Sequence, residues 1–280
     1  MPDRLDPDGA LALVTGAGGG IGAALAVALA RRGARLALVD RDAEGLEATR
    51  AALGNRAETS LHALDLTDPE PRDALPAAVE AAHGTAPALL VNNAGIAHGG
   101  AFEELDAATF DRVMAVNFDA PVRLVRAFLP RMRALPQARI VLVSSLFGLI
   151  APPGQSAYSA SKFALRGFGE ALRHELAASS VGVTLVHPGG VRTAIARDAL
   201  LPPGADRAEA AARAKDFERN LRLAPQKAAE IIVEGALRRA PRVLVGGDAK
   251  LISLIQRLAP AGHWRLVERL MARKPAGGPE

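Results

Sequence analysis

The chain has 280 residues, a formal charge of +4, one tyrosine, one tryptophan and no cysteine. Its length allows one large domain or two small ones. A composition of 49% hydrophobic and 23% charged residues is that of a soluble globular protein, not of a disordered or collagenous one. Without cysteine there are no disulfides, zinc–thiolate sites, iron–sulfur clusters or cysteine nucleophiles. The charge is unevenly placed. Residues 250–280 hold six bases and two acids, whereas residues 1–249 hold 28 of each. The body is therefore neutral, and a neutral body argues against a nucleic-acid groove, which needs Lys and Arg clustered on one face.

Met1–Ala10 carries three aspartates and two prolines, unlike the basic start and apolar run of a signal peptide. A cytoplasmic location is expected. The longest uncharged stretch, Ile140–Ser161, contains Pro152, Pro153, Gly154, Gln155 and five serines, so it reads as strand, loop and helix start, not as a membrane span. In chain order, Leu11–Thr15 is a short apolar run, followed by glycines and a helix over Ile21–Arg32. Arg35–Asp40 is a second buried-type run. Further strands are expected at Thr59–Ala63, Leu89–Asn92, Ile140–Ser144, Val183–His187 and Arg242–Gly246, and helices at Phe110–Arg133, Ala157–Ala178 and Ala224–Arg239. Apolar strands alternating with helices predict an α/β fold: one doubly wound parallel sheet with helices on both faces. The expected division is a body over 1–249 and a basic helical tail over 250–280.

The first strand runs into Thr15-Gly16-Ala17-Gly18-Gly19-Gly20-Ile21-Gly22. Glycines there let the backbone turn tightly and approach a ligand, and the following helix aims free N–H groups at it, which suits a pyrophosphate. Asp40 ends the second strand, 18 residues after Gly22. An acid there accepts from an adenosine ribose and repels a 2′-phosphate, which favours NAD. Arg41 beside it keeps NADP open.

Four further features follow in order: Asp65-Leu66, Asn92-Asn93-Ala94-Gly95, Ser144-Ser145 with Tyr158-Ser-Ala-Ser-Lys162, and Pro188-Gly189-Gly190-Val191-Arg192-Thr193. With the glycine loop, this set resembles the short-chain dehydrogenase/reductase family over roughly residues 10–247, in its shorter-chained branch, which performs carbonyl–alcohol chemistry. The resemblance implies a Rossmann-type sheet, an NAD(P) cofactor, and Asn117, Ser145, Tyr158 and Lys162 as catalytic residues. It also implies that Gly16, Gly18, Gly20, Ile21 and Gly22 cradle the cofactor. Asp65 would accept from the adenine amine with Leu66 alongside. Asn92, Ala94 and Gly95 would sit under the adenosine ribose, with Pro188, Gly189, Val191 and Thr193 toward the nicotinamide. Lys162 would donate to the nicotinamide ribose. A homodimer or homotetramer is expected.

The residues support these roles on their own chemistry. Tyr158 and Lys162 are four apart and share a helix face. A nearby ammonium is expected to lower the phenol from its usual value near ~10 and ready it for proton exchange with a substrate oxygen. Ser145, thirteen residues before Tyr158, would position that oxygen. Pro121 has no N–H to bond the Asn117 carbonyl, so a helix irregularity is expected there, with the carbonyl free to hold a water that links Lys162 to solvent.

The segment Leu146, Phe147, Leu149, Ile150, Pro152 and Pro153, with Gln155 and Gly190 nearby, is expected to line an apolar substrate site. That lining suits an aliphatic or cyclic secondary alcohol or its ketone. A partly helical lid is expected over about 194–223. The histidines have no ligand spacing, so no metal is expected. The tail, with apolar residues from Leu251 to Met271 and a break at Pro260-Ala-Gly262, admits packing on the body or a partner subunit, a membrane-surface helix with Trp264 at the interface, or a lid. The rival to turnover is a catalytically silent dinucleotide-binding sensor or scaffold.

Overall fold

Leu11–Thr15 is buried at every position, which places it inside a sheet covered on both faces. The computed structural model describes residues 4–206, 208, 212, 215 and 221–272. Seven strands form one parallel sheet: β1 (Leu11–Thr15), β2 (Arg35–Asp40), β3 (Thr59–Ala63), β4 (Leu89–Asn92), β5 (Ala138–Val143), β6 (Val181–Pro188) and β7 (Arg242–Val245), in the order β3-β2-β1-β4-β5-β6-β7. The helices are α1 (Gly20–Ala30), α2 (Ala43–Leu53), α3 (Pro69–His83), α4 (Ala107–Met114), α5 (Ala120–Met132), α6 (Ser156–Glu175), α7 (Pro225–Leu237), α8 (Gly247–Leu258) and α9 (His263–Ala272).

Alternate strand residues feed two cores. Ala12, Val14, Leu36, Leu38, Val141 and Val143 pack with α1, α2 and α7. Leu11, Leu13, Val39, Ile140 and Leu142 pack with α3, α5 and α6 on the other face. The strand order reverses between β1 and β4, and such a switch point opens a crevice beyond the carboxyl ends of the strands.

Two braces shape that crevice. The Asn93 amide donates to the Thr15 and Gly16 carbonyls at 3.0 and 3.3 Å, and the Thr15 hydroxyl accepts the Asn93 and Ala94 N–H groups, each at 3.0 Å. Gly16 has a φ of +67°, and a Cβ there would lie 2.8 Å from the Ala94 backbone. A Cβ on Gly22 would run into the Gly16 carbonyl.

The helix expected over Phe110–Arg133 is broken into three. Between α4 and α5 lies a π turn, Ala115–Asp119, in which the Ala120 N–H reaches back to the Ala115 carbonyl. Pro121 follows it, at the place where a regular helix would need the N–H that proline lacks.

The tail folds as α8 and α9 with a break over 259–262. Its inner face, Ile252, Ile255, Trp264 and Val267, joins Leu146, Leu149, Ile150 and Leu244 in a third, smaller apolar cluster. No helix among the described residues is long and apolar enough to cross a membrane.

Candidate active site

α6 carries Tyr158 and Lys162 one turn apart, both buried, against the carboxyl end of β5. The Lys162 ammonium donates to the Val143 carbonyl at 3.1 Å and lies 5.6 Å from the centre of the Tyr158 ring. The Ser144 hydroxyl donates to the Lys162 carbonyl at 2.9 Å and so fixes α6 to the strand end. Ser145, not Ser144, stands near enough to the Tyr158 hydroxyl for its own hydroxyl to favour the phenolate. Its oxygen also accepts the Phe147 N–H at 3.1 Å. Phe147 meets Tyr158 edge-on, with ring centres 6.1 Å apart.

Asn117, fully buried in the π turn, ties this corner together through its side chain. Its amide oxygen accepts the Ile96 N–H at 2.9 Å, and its nitrogen donates to the Ile96 carbonyl at 2.9 Å and the Ser161 hydroxyl at 3.0 Å. Gly95 passes between: a Cβ there would lie 3.2 Å from both the Asn117 oxygen and the Lys162 ammonium.

Burial governs the titration of this pair. It lowers Lys162 to about 8. It raises the Tyr158 phenol, and the nearby Ser145 hydroxyl offsets only part of that. The expected lowering of Tyr158 by its lysine neighbour is therefore not found. Removing a phenolate from water costs more than a lysine that is itself easily deprotonated returns.

At the other end of the crevice, α1 starts without a side-chain cap and without an acid in its first turn. The aspartates Asp42, Asp68 and Asp106 cap α2, α3 and α4. Uncapped N–H groups behind Gly16, Gly18, Gly20 and Ile21 leave room and charge for an anion. Asp40 is held at the loop mouth: one carboxylate oxygen accepts the Gly18 N–H at 2.9 Å and the other the Asp42 N–H at 3.0 Å. Arg41 is exposed and makes no ion pair among the described residues. Asp65 accepts from Arg112 at 2.6 Å and from the Thr67 N–H and hydroxyl, bonds that, against the opposing effect of burial, hold its carboxyl down at about 2. Leu66 and Asn92 are buried, and neither amide atom of Asn92 has a hydrogen-bond partner among the described residues. The Ala94 N–H is used on Thr15.

The segment after β6 closes over α1. The Thr193 side chain would lie 3.3 Å from a Cβ on Gly20. Pro188 pairs with Val245, the Gly189 N–H bonds the Val245 carbonyl, and Val191 is buried. Gly190 is held by its N–H on Asp248 at 2.6 Å. Gln155 and Gly190 are half-buried beside the crevice loops. Leu146, Leu149 and Ile150 turn into the third cluster with the tail. Of the expected lid, the described start holds a short 3-10 turn at Ala194–Ala196, and Leu200 pairs with Ala97 and Gly99; most of 207–220 lies outside the described residues.

Sequence reasoning missed three residues. Asn93 braces the glycine loop, hidden in a motif already read for its neighbours. Asp248 fixes Gly190, and its signal was an acid at the start of α8. His187 donates from Nδ1 to the Ser145 carbonyl at 2.9 Å, while its Nε2 is buried without a partner among the described residues. Burial lowers this histidine to about 4. The folded chain keeps it neutral while the unfolded chain protonates near 6.5, so stability is full above pH 6.5 and is lost as pH falls toward 4. The gap corresponds to about 3 kcal/mol. Urea unfolding from pH 7 down to about pH 4 should therefore be steeper in pH for the native chain than for His187→Gln; equal slopes would contradict the assignment.

Comparison with known proteins agrees with this geometry. The family profile described as short chain dehydrogenase matches residues 10–201. The Mycobacterium tuberculosis protein SadH, named provisionally as an oxidoreductase, is 43% identical over 270 residues, which are 95% of this chain and 96% of that one. A crystal structure of a short chain dehydrogenase/reductase from Burkholderia phymatum in complex with NAD is 28% identical, with a TM-score of 0.84 and 99% of both chains covered. A metagenomic short-chain oxidoreductase in complex with NADP is 34% identical, with a TM-score of 0.68 over 85% of this chain and 97% of that one. The chain belongs to the short-chain dehydrogenase/reductase family.

Proposed function

We propose that this protein is an oxidoreductase that interconverts an apolar secondary alcohol and its ketone with a nicotinamide cofactor, NAD in preference to NADP. The observation that carries the reading is the Ser145–Tyr158 hydroxyl pair beside Lys162, at the carboxyl edge of the sheet onto which the glycine loop also opens. Two hydroxyls facing the same space can both reach one substrate oxygen.

The crevice fits a dinucleotide. Its glycine loop has no Cβ to fill the space, the α1 N–H groups are uncapped, and Asp40 stands at its mouth. The Burkholderia and metagenomic relatives bind NAD and NADP. In this chain Gly16, Gly18, Gly20, Ile21 and Gly22 would hold the pyrophosphate and Asp40 the adenosine ribose. Asp65 and Leu66 would meet the adenine, and Asn92, Ala94 and Gly95 the ribose face. Pro188, Gly189, Val191 and Thr193 would meet the nicotinamide end. The Asp40 charge opposes a 2′-phosphate, and Arg41 beside it is placed to offset that charge. The bound cofactor supplies or accepts the hydride.

The chain's own residues handle the proton. Ser145 donates to the substrate oxygen and orients it. Tyr158 gives that oxygen a proton in reduction and takes one in oxidation. Lys162 stabilises the phenolate and orients the ribose. The Asn117 carbonyl, in its π turn, would hold a water on the way from Lys162 to solvent. Phe147, Gln155 and Gly190 flank the space left for the substrate.

Turnover of a panel of secondary alcohols and ketones, followed at the reduced-nicotinamide absorbance, tests this directly. Activity should appear and be greater with NAD than with NADP. Tyr158→Phe should abolish it while cofactor binding survives. Cofactor binding without turnover on any pair would favour the silent sensor, and turnover by Tyr158→Phe would overturn the role of Tyr158.

Lys162 should also trade stability for function. Its folded value of about 8 lies below 10.5, so the unfolded chain holds this proton more tightly. Burying the charge at neutral pH therefore costs about 3 kcal/mol, a cost that fades as pH rises from about 8 to 10.5. Lys162→Met should lose turnover yet raise the unfolding free energy of the cofactor-free chain at pH 7 by up to about 3 kcal/mol. A clear loss of stability would contradict the assignment.

A further inference from the structure

Among the described residues, eight large apolar side chains are notably exposed, and all but Phe163 lie on the tail or on loops at the carboxyl edge of the sheet. In a parallel sheet the segments that follow β4, β6 and β7 all leave from the same edge. Phe102 follows β4 and is 70% exposed, Leu201 follows β6, and α8 begins two residues after β7. The first two segments are tied together, with the Gly99 N–H on the Leu200 carbonyl at 3.0 Å. Ser145 follows β5 at this edge as well.

The tail is apolar on two sides. Its inner face is spent on the third cluster beside Ser145. Leu251, Leu254 and Leu258 are spaced three and four residues apart, so they form one stripe on α8, and each is exposed, Leu258 to 78%. Leu266 is likewise exposed on α9.

Charge decides what covers this face. Lys250, Arg257, Arg265 and Arg269 are all exposed on these two helices, and none forms an ion pair among the described residues. Elsewhere some arginines find acids, as Arg4 and Arg238 do on Glu234, Arg32 on Glu230 and Arg112 on Asp65, and others such as Arg41 do not; what marks the tail is four such cations on two adjacent helices. The exposed acids of the tail helices are Glu268 and Asp248, and Asp248 is engaged with the Gly190 N–H. A second copy docking through a two-fold axis would bring the same patch to itself and set these cations against each other. A nucleic acid would meet the cations but leave the leucine stripe in water. An anionic lipid surface satisfies both.

We infer that α8 and α9 lie on an anionic bilayer surface, leucines toward the acyl chains and Lys250, Arg257, Arg265 and Arg269 among the headgroups, with the mouth of the crevice turned toward that surface. The association is in-plane, since no described helix can span. It stands independently of the reaction proposed above.

The test is co-sedimentation of the full chain with vesicles of phosphatidylcholine alone or mixed with phosphatidylglycerol. The native chain should pellet with the mixed vesicles, release at high salt, and stay largely in solution with phosphatidylcholine. The double variant L254E/L258E should lower partitioning at least about tenfold, and R265E/R269E should do the same. All four side chains are exposed, so thermal melts of both variants should match the native chain. A variant that melts early is replaced by L254S/L258S, which removes the apolar stripe without adding charge. No pelleting of the native chain at low salt would overturn the inference, as would pelleting that the variants do not weaken. So would a native dimer that L254E/L258E converts to monomer with vesicle binding unchanged, because a second copy would then cover the face.

Discussion

The site depends on keeping a lysine out of water. Lys162 is buried at the end of β5 with a backbone carbonyl as its acceptor and no ion-pair partner among the described residues. Burial of an unpaired ammonium is costly, and the cost appears as a lysine that gives up its proton near pH 8. Several neighbouring features follow from holding it there. Ser144 pins the α6 backbone at the same residue, Gly95 supplies the gap that a Cβ would close, and the Asn117 side chain locks the Ile96 loop against α6. The Asn93 and Thr15 brace then sets the adjoining glycine loop on β1. Each device removes backbone freedom around one charge.

A second layer of support comes from beyond the motifs. His187 fixes the carbonyl of Ser145 and Asp248 the N–H of Gly190, so the last two strands and α8 hold the two loops that converge on the crevice. The tail takes part in this. Ile252, Ile255, Trp264 and Val267 back the segment just after Ser145, which makes α8 and α9 an outer wall of the site as well as the carrier of the excess charge. Whatever binds the outside of that wall is mechanically close to the serine loop.

Much of this was legible because it is written in local patterns. The apolar runs at Leu11–Thr15, Arg35–Asp40, Thr59–Ala63 and Leu89–Asn92 are strands over those residues, and the end strands differ from expectation by two residues or fewer. Pro121 announced the irregularity at Asn117, although a missing N–H could not say that the chain would answer with a π turn. Asn93, His187 and Asp248 were invisible for a different reason. Each acts through a contact 42 to 78 residues away in sequence, and no spacing rule encodes such a partner. The direction of the Tyr158 titration failed likewise: the four-residue spacing reveals the lysine, but the depth at which both are buried is a property of the packed fold. The uneven charge was countable at once, yet only the structure separates the tail face that packs inward from the one that does not.

Tyr158 is the only tyrosine in the chain, so the phenolate absorbance band reports a single site. Titrating that band in the cofactor-free protein measures the competition between burial and the neighbouring lysine. The account predicts one cooperative-free transition with its midpoint above the ordinary tyrosine value of about 10. A midpoint below that value would contradict it, because the lysine charge would then outweigh burial and Lys162 would have to be held fully protonated.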